Sequence, residues 1–146
     1  MISGVSLTPL QQIMDERGKV MHMLKATDPN FQKFGEIYFS CAWPGAVKGW
    51  HVHKTMTLNL AVVSGRAKFA CFDMRDRLST YLALEQFYLS EDAYGLLTVP
   101  PGVASGYAAY GDKLVIVANC ATESHSPDEI QYMPYNKWPG TDKDFE

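Results

Sequence analysis

Two histidines one residue apart, His51 and His53, stand inside the stretch Gly45–Gly65, GAVKGWHVHKTMTLNLAVVSG. On a β-strand this spacing sends both imidazoles to one face, with their Cα atoms roughly 7 Å apart. Such a pair has two chemical uses. It can ligate a divalent metal, for which neutral imidazole is a common donor. It can also move protons, because an imidazole with a pKa near ~6.5 is basic at neutral pH and gives the proton back readily. Apolar, β-branched residues follow the pair and glycines bracket it. The strand is therefore expected to line a barrel, with the histidines inside its mouth.

The elements that must hold this pair are nearly all strands. Runs with strand character cover Lys19–Leu24, Glu36–Trp43, Val47–His53, Thr57–Ser64, Ala67–Asp73, Leu82–Leu89, Leu96–Val99, Ser105–Tyr110 and Lys113–Ala121. Pro44-Gly45, Ser64-Gly65, Pro100-Pro101-Gly102 and Gly111-Asp112 punctuate them as turns, and Met74–Thr80 reads as a polar connection. No long amphipathic helix, repeat or low-complexity segment interrupts the series. The pattern predicts an all-β sandwich or barrel. Residues 124–146, rich in Pro, Asp and Tyr, are expected to wrap over it without adding strands.

At 146 residues the chain fits a single domain spanning 1–146. A net charge of -3 offers no basic field for nucleic acid or an anionic membrane, so neither is an expected partner. An anionic ligand would have to be held by individual Arg, Lys or backbone N–H groups. Cys41, Cys71 and Cys120 form no C-x-x-C pair, which argues against a zinc knuckle or a disulfide framework. With neither a membrane-spanning apolar run nor a signal peptide, the expected location is cytoplasmic.

Gly45, His51, His53 and Gly65 fall in register with the first sequence motif of the cupins, and Pro100-Pro101-Gly102 with the turn of the second. The chain resembles a cupin, which implies a double-stranded β-helix, or jelly-roll barrel. Leu58 and Ser105 occupy two positions where cupins place further metal ligands. With two of four ligand positions kept, no metal and no other cofactor is expected. Three segments, in order, are similar to motifs of the dTDP-4-dehydrorhamnose 3,5-epimerase family of sugar-nucleotide cupins. They are Asp15-Glu16-Arg17-Gly18, Lys48-Gly49-Trp50-His51 and Val99–Tyr107. The resemblance implies that His51 is the catalytic base and that Arg17 and Lys48 contact phosphate or sugar. Where that family has a lysine this chain has Leu58; its second histidine is Ser105, its acid tyrosine falls near Ala118 or Asn119, and its base-orienting aspartate near Asp142 or Asp144. The peptide Lys48–Lys54 is also similar to sugar-nucleotide 3,4-ketoisomerases, which carry both histidines in the site.

These resemblances imply an isomerase that removes a proton beside the ketone of a nucleotide-linked 4-keto-6-deoxy sugar, with His51 as base and His53 assisting. The enolate oxygen would need a hydrogen-bond donor in a low-dielectric site. Strict alternation puts Lys48 and Lys54 on the face opposite His51, unless a bulge at Gly49 re-aims Lys48. Tyr107, Tyr110 and Tyr132 are alternative donors, and Ser105, Tyr107, Tyr132 and Asn119 complete the expected substrate contacts. A homodimer formed through sheet edges or an exchanged N-terminal strand is expected. Two other readings fit the same residues. One is a sugar-nucleotide binding protein without catalysis; the other is a small metal-dependent cupin using His51 and His53.

Overall fold

The computed structural model describes residues 1–134. Trp138, Asp142 and Asp144 lie outside them. Twelve strands make up the described fold: β1 (Ser6–Pro9), β2 (Gln12–Asp15), β3 (Gly18–Met21), β4 (Glu36–Ala42), β5 (Val47–His53), β6 (Leu58–Ser64), β7 (Arg66–Asp73), β8 (Leu84–Ser90), β9 (Gly95–Val99), β10 (Val103–Tyr110), β11 (Val115–Ala121) and β12 (Ile130–Tyr132). Two antiparallel five-stranded sheets, ordered β1-β9-β6-β11-β4 and β12-β5-β10-β7-β8, form the expected jelly roll, while β2 and β3 make a separate hairpin. No helix of the described residues is long and apolar enough to cross a membrane.

Period-two alternation places one set of side chains between the sheets. Leu58, Leu60 and Val62 from β6 meet Phe69 and Cys71 from β7, Leu97 and Val99 from β9, and Val115 and Val117 from β11 in one core. Trp50, with Ala70, Ala104 and Ala108, forms a second cluster that includes Val47, Val52 and Phe72 at its margin. Trp50 is thus a buried packing residue separate from the main core. Trp43 does not pack: 74% of it is exposed at the end of edge strand β4.

Toward one end of the sandwich the inward positions change from apolar to polar. β4 contributes Tyr38 and Ser40 there, β10 contributes Ser105, and β11 contributes Asn119. The β5–β10 pairing carries the irregularity that Gly49 foreshadowed. Ser105 opposes His51 and Tyr107 opposes Lys48, so two steps along β10 match three along β5. The extra residue is a bulge that shifts the facing of every side chain beyond it. Lys48 is thereby turned to the His51 side, against simple alternation.

The Pro100-Pro101-Gly102 turn anchors the other end of β5. Gly102 N–H donates to the His53 carbonyl at 2.9 Å. Its φ is +83°, and a Cβ there would stand 2.6 Å from Arg75 Cγ, so only glycine fits. The segment after Ser124 departs from expectation. Ile130, Gln131 and Tyr132 pair with His53, Val52 and His51, adding a twelfth strand beside β5. The Pro and Asp content of this segment disguised the short apolar-polar run that forms it.

Candidate active site

His51 sits where two cavities meet. The inner one, about 90 Å³, is floored by Leu58, Leu60, Phe69 and Val117 and rimmed by Tyr38, Ser40, Lys48, Ser105, Tyr107 and Asn119. The outer one, about 380 Å³, is lined by Glu36, Tyr38, His53, Met56, His125, Ile130 and Tyr132. Among the described residues, His51 and Tyr38 alone border both.

Burial, reinforced by the neighbouring His53 and Lys48, lowers the His51 pKa to about 4. Each of these effects opposes a positive charge on the ring. His51 is therefore a neutral imidazole at neutral pH, able to accept a proton. The ring of Tyr132 meets it edge-on, with centroids 5.0 Å apart. Among the described residues no carboxylate is hydrogen-bonded to His51.

Glu129, one residue before Ile130 of the outer wall, brings a carboxylate that engages the other histidine. His53 Nδ1 bonds Glu129 Oε1. Glu129 Oε2 accepts the N–H groups of Lys54 at 3.2 Å, Thr55 at 3.1 Å and Met56 at 3.1 Å, and the Thr55 hydroxyl at 3.3 Å. Burial pushes the Glu129 carboxyl up, but the bonds from His53, Thr55 and Met56 outweigh it and hold the group below its ordinary value. An ionised carboxylate only accepts, so His53 Nδ1 is the donor.

Two hydrogen-bond relays face His51. Lys48 Nζ donates to Ser40 Oγ at 3.4 Å, and Ser40 Oγ lies 2.7 Å from the Tyr107 hydroxyl. If Ser40 donates onward, the Tyr107 proton is left for a ligand oxygen. In the second relay, Asn119 Oδ1 accepts Asn59 N–H at 3.1 Å, which turns Asn119 Nδ2 toward Tyr38 Oη at 3.0 Å. Because the Tyr38 oxygen accepts there, its own proton is free to be given. Burial raises the pKa of both phenols, so both are protonated donors at neutral pH.

A metal would find few ligands here. Leu58 and Ser105 occupy two of the expected ligand positions, and Glu129 already uses His53 Nδ1. Among the described residues no three His, Cys, Asp or Glu side chains cluster at ligating distance.

The model of the dTDP-4-dehydrorhamnose 3,5-epimerase family matches residues 1–138. The chain belongs to this family. It is 40% identical to the dTDP sugar isomerase of Desulfovibrio desulfuricans G20, covering 93% of this chain and 87% of that one, with a TM-score of 0.91. It is 29% identical to the spore coat polysaccharide biosynthesis protein SpsL of Bacillus subtilis (strain 168), over 88% of this chain and 85% of SpsL. The dTDP-6-deoxy-D-glucose-3,5-epimerase of Legionella pneumophila Philadelphia 1, solved with dTDP-4-keto-L-rhamnose, shares the fold: its TM-score is 0.81 at 21% identity, over 94% of this chain and 80% of that one.

Of the residues expected for a dTDP-4-dehydrorhamnose 3,5-epimerase-like site, the structure brings His51, Lys48, Ser105, Tyr107 and Asn119 around the inner cavity. His53 and Tyr132 join His51 at the outer one. Arg17 is not with them. It lies at the tip of the β2–β3 hairpin, where its guanidinium bonds Asp15 at 2.7 Å and it lines a separate surface hollow. Tyr110 is likewise remote, near Arg66 and Lys113. Lys54 lines neither cavity. Tyr38, Ser40, Glu129 and His125 are members that the sequence reading missed. The inward parity of Tyr38 and Ser40 on β4 was available as a signal. Glu129, 76 residues from His53, gave none.

Proposed function

We propose that this chain is a nucleotide-sugar epimerase or ketoisomerase, acting on an NDP-linked 4-keto-6-deoxy sugar with His51 as base. The observation that carries this reading is the neutral His51 at the junction of two cavities, faced by three separate proton donors. In this reading the sugar enters through the outer cavity and its keto oxygen points toward Lys48 and Tyr107. His51 takes a proton from the carbon beside the ketone, and the bonding pair becomes an enolate. The Lys48 charge and the Tyr107 hydroxyl meet the developing oxyanion above an apolar floor, where such contacts are stronger than in water. Tyr38, held by Asn119, returns a proton to carbon, and His53 assists at the neighbouring position. Ser105 and Tyr132 bound the sugar on either side of His51. No cofactor takes part.

A homodimer belongs to this reading. The β2–β3 hairpin leaves Ile13, Met14 and Val20 exposed, edge strand β4 exposes Ile37 and Phe39, and Trp43 just after it is exposed as well. Apolar surface of this kind on an edge strand is a docking site for a second copy. Such a copy is also the route by which Arg17 would reach a cavity and a phosphate. Light scattering of the purified protein tests this: a monomer at micromolar concentration removes both the dimer and the role of Arg17.

The activity is tested by deuterium uptake from D2O beside the keto group of dTDP-, GDP- or CDP-linked 4-keto-6-deoxy sugars, followed by NMR. Uptake is expected with at least one of them and should slow by about 10³-fold in His51→Ala at the carbon that His51 serves. A thermal shift with every sugar nucleotide but uptake with none would show a binding protein instead.

A further inference from the structure

We propose that Glu129 is a positioning residue for His53, fixing its Nδ1–H tautomer so that Nε2 serves as a second proton acceptor beside His51. This rests on the isomerase reading above and deepens it. The geometry leaves His53 little choice. Its Nδ1 is bonded to Glu129 Oε1, and the residue is 5% exposed, in the wall of the outer cavity. Glu129 itself cannot turn away, because four donors of residues 54–56 converge on its other oxygen. Further along, Gly102 N–H holds the His53 carbonyl. A clamped carboxylate thus dictates which ring nitrogen carries the proton.

The consequence is a division of labour along one strand. With both rings in the wall of the outer cavity, each would serve one of the two carbons flanking a ketone. When Nε2 of His53 takes a C–H proton, the electron pair enters the enolate and the ring becomes an imidazolium. Its Nδ1–H then points at an ionised carboxylate, which stabilises the charge. The Nε2 proton exchanges with solvent while the enolate lasts, and collapse of the enolate then takes a proton from Nε2 and leaves the ring neutral again.

Glu129→Gln is a sharp probe, because the converging N–H groups of residues 54–56 require the amide oxygen on their side. The amide NH2 must then face His53 Nδ1, which forces the Nε2–H tautomer and removes the acceptor. Long-range 15N–1H correlation spectra should show His53 as Nδ1–H in the wild-type protein and as Nε2–H in the variant. With a 4-keto-6-deoxy sugar nucleotide in D2O, the wild type should label both carbons beside the ketone. In Glu129→Gln the ratio of the second label to the first should fall by about 10²-fold, the lower end of what a positioned base contributes. His53→Asn should lower the same ratio and serves if the Gln variant does not fold. A wild-type His53 carrying its proton on Nε2 would overturn the proposal, as would an unchanged label ratio in both variants. No label at all in the wild type, with the Nδ1–H tautomer present, would instead refute the isomerase reading and the second-base role while leaving the Glu129 clamp standing.

Discussion

His51 and His53 leave the same face of β5 two residues apart, yet their surroundings have little in common. His51 borders an apolar floor with Lys48 and His53 beside it, and among the described residues no carboxylate is bonded to it. His53 is locked to Glu129, which is itself tied to the adjoining turn. The first environment suppresses charge on the ring; the second orients the ring and can compensate charge. The contrast teaches that spacing along a strand places side chains, while the strands on either side decide what each can do. Here β10 and the inner cavity act on His51, and the segment leading into β12 acts on His53.

The sharpest way to break this contrast is to remove each ring in turn. His51→Ala should slow deuterium exchange by about 10³-fold, within the 10²–10⁴ attributed to a positioned base. An equal loss of all exchange in His53→Ala, with His51 intact, would show that the two rings act as one unit and not as two. Next in size is the clamp. Glu129→Ala leaves His53 Nδ1 and several N–H groups without an acceptor and should cost about 3 kcal/mol of stability. Urea titration reads this directly, and a cost below about 1 kcal/mol would mean that water replaces the carboxylate without penalty.

The third test concerns charge on His51. Its pKa in the folded chain, about 4, lies below the ordinary 6.5. Between those values the unfolded chain binds a proton that the native chain does not, so stability falls as pH drops from 6.5 toward 4. The wild type should lose on the order of 2 kcal/mol across that window more than His51→Gln does. Identical pH dependence in the two proteins would deny that burial controls the ring. The smallest effect is expected from Tyr38→Phe, which removes one proton donor and leaves Asn119 Nδ2 without its partner. Exchange should slow by about tenfold, and a rate equal to wild type would pass the donor role to Tyr107.

Much of this architecture was legible beforehand because period-two alternation and Gly/Pro punctuation are local signals. They located β4 through β11 closely and put His51 and His53 on one face. Gly49 even marked where Lys48 would change sides. Other features escaped, strands β1 and β2 among them. Ile130–Tyr132 is too short, and too embedded in turn-forming residues, to announce a strand. Glu129 meets His53 across 76 residues, and no periodicity carries that distance. Arg17 sits on a hairpin whose tip is set by its own Asp15 contact, and a motif match cannot say where a hairpin points. Tyr38 lay in a correctly read strand, but a tyrosine there has the same pattern as a packing residue.

Strand β12 holds only three residues and terminates its sheet among the described strands, bonded to β5 alone. Short edge strands of this kind open independently of the core at a small fraction of the global unfolding free energy. The two walls of the site therefore keep different time. β10 is expected to stay fixed for as long as the protein is folded, whereas the wall bearing Tyr132 is expected to detach and return many times within one lifetime of the native state. Each excursion widens the outer cavity and frees the β5 amides that β12 covers. Backbone amides of Ile130–Tyr132 should accordingly exchange with solvent well before those of Ser105 and Tyr107, and a bound ligand should slow the first set far more than the second.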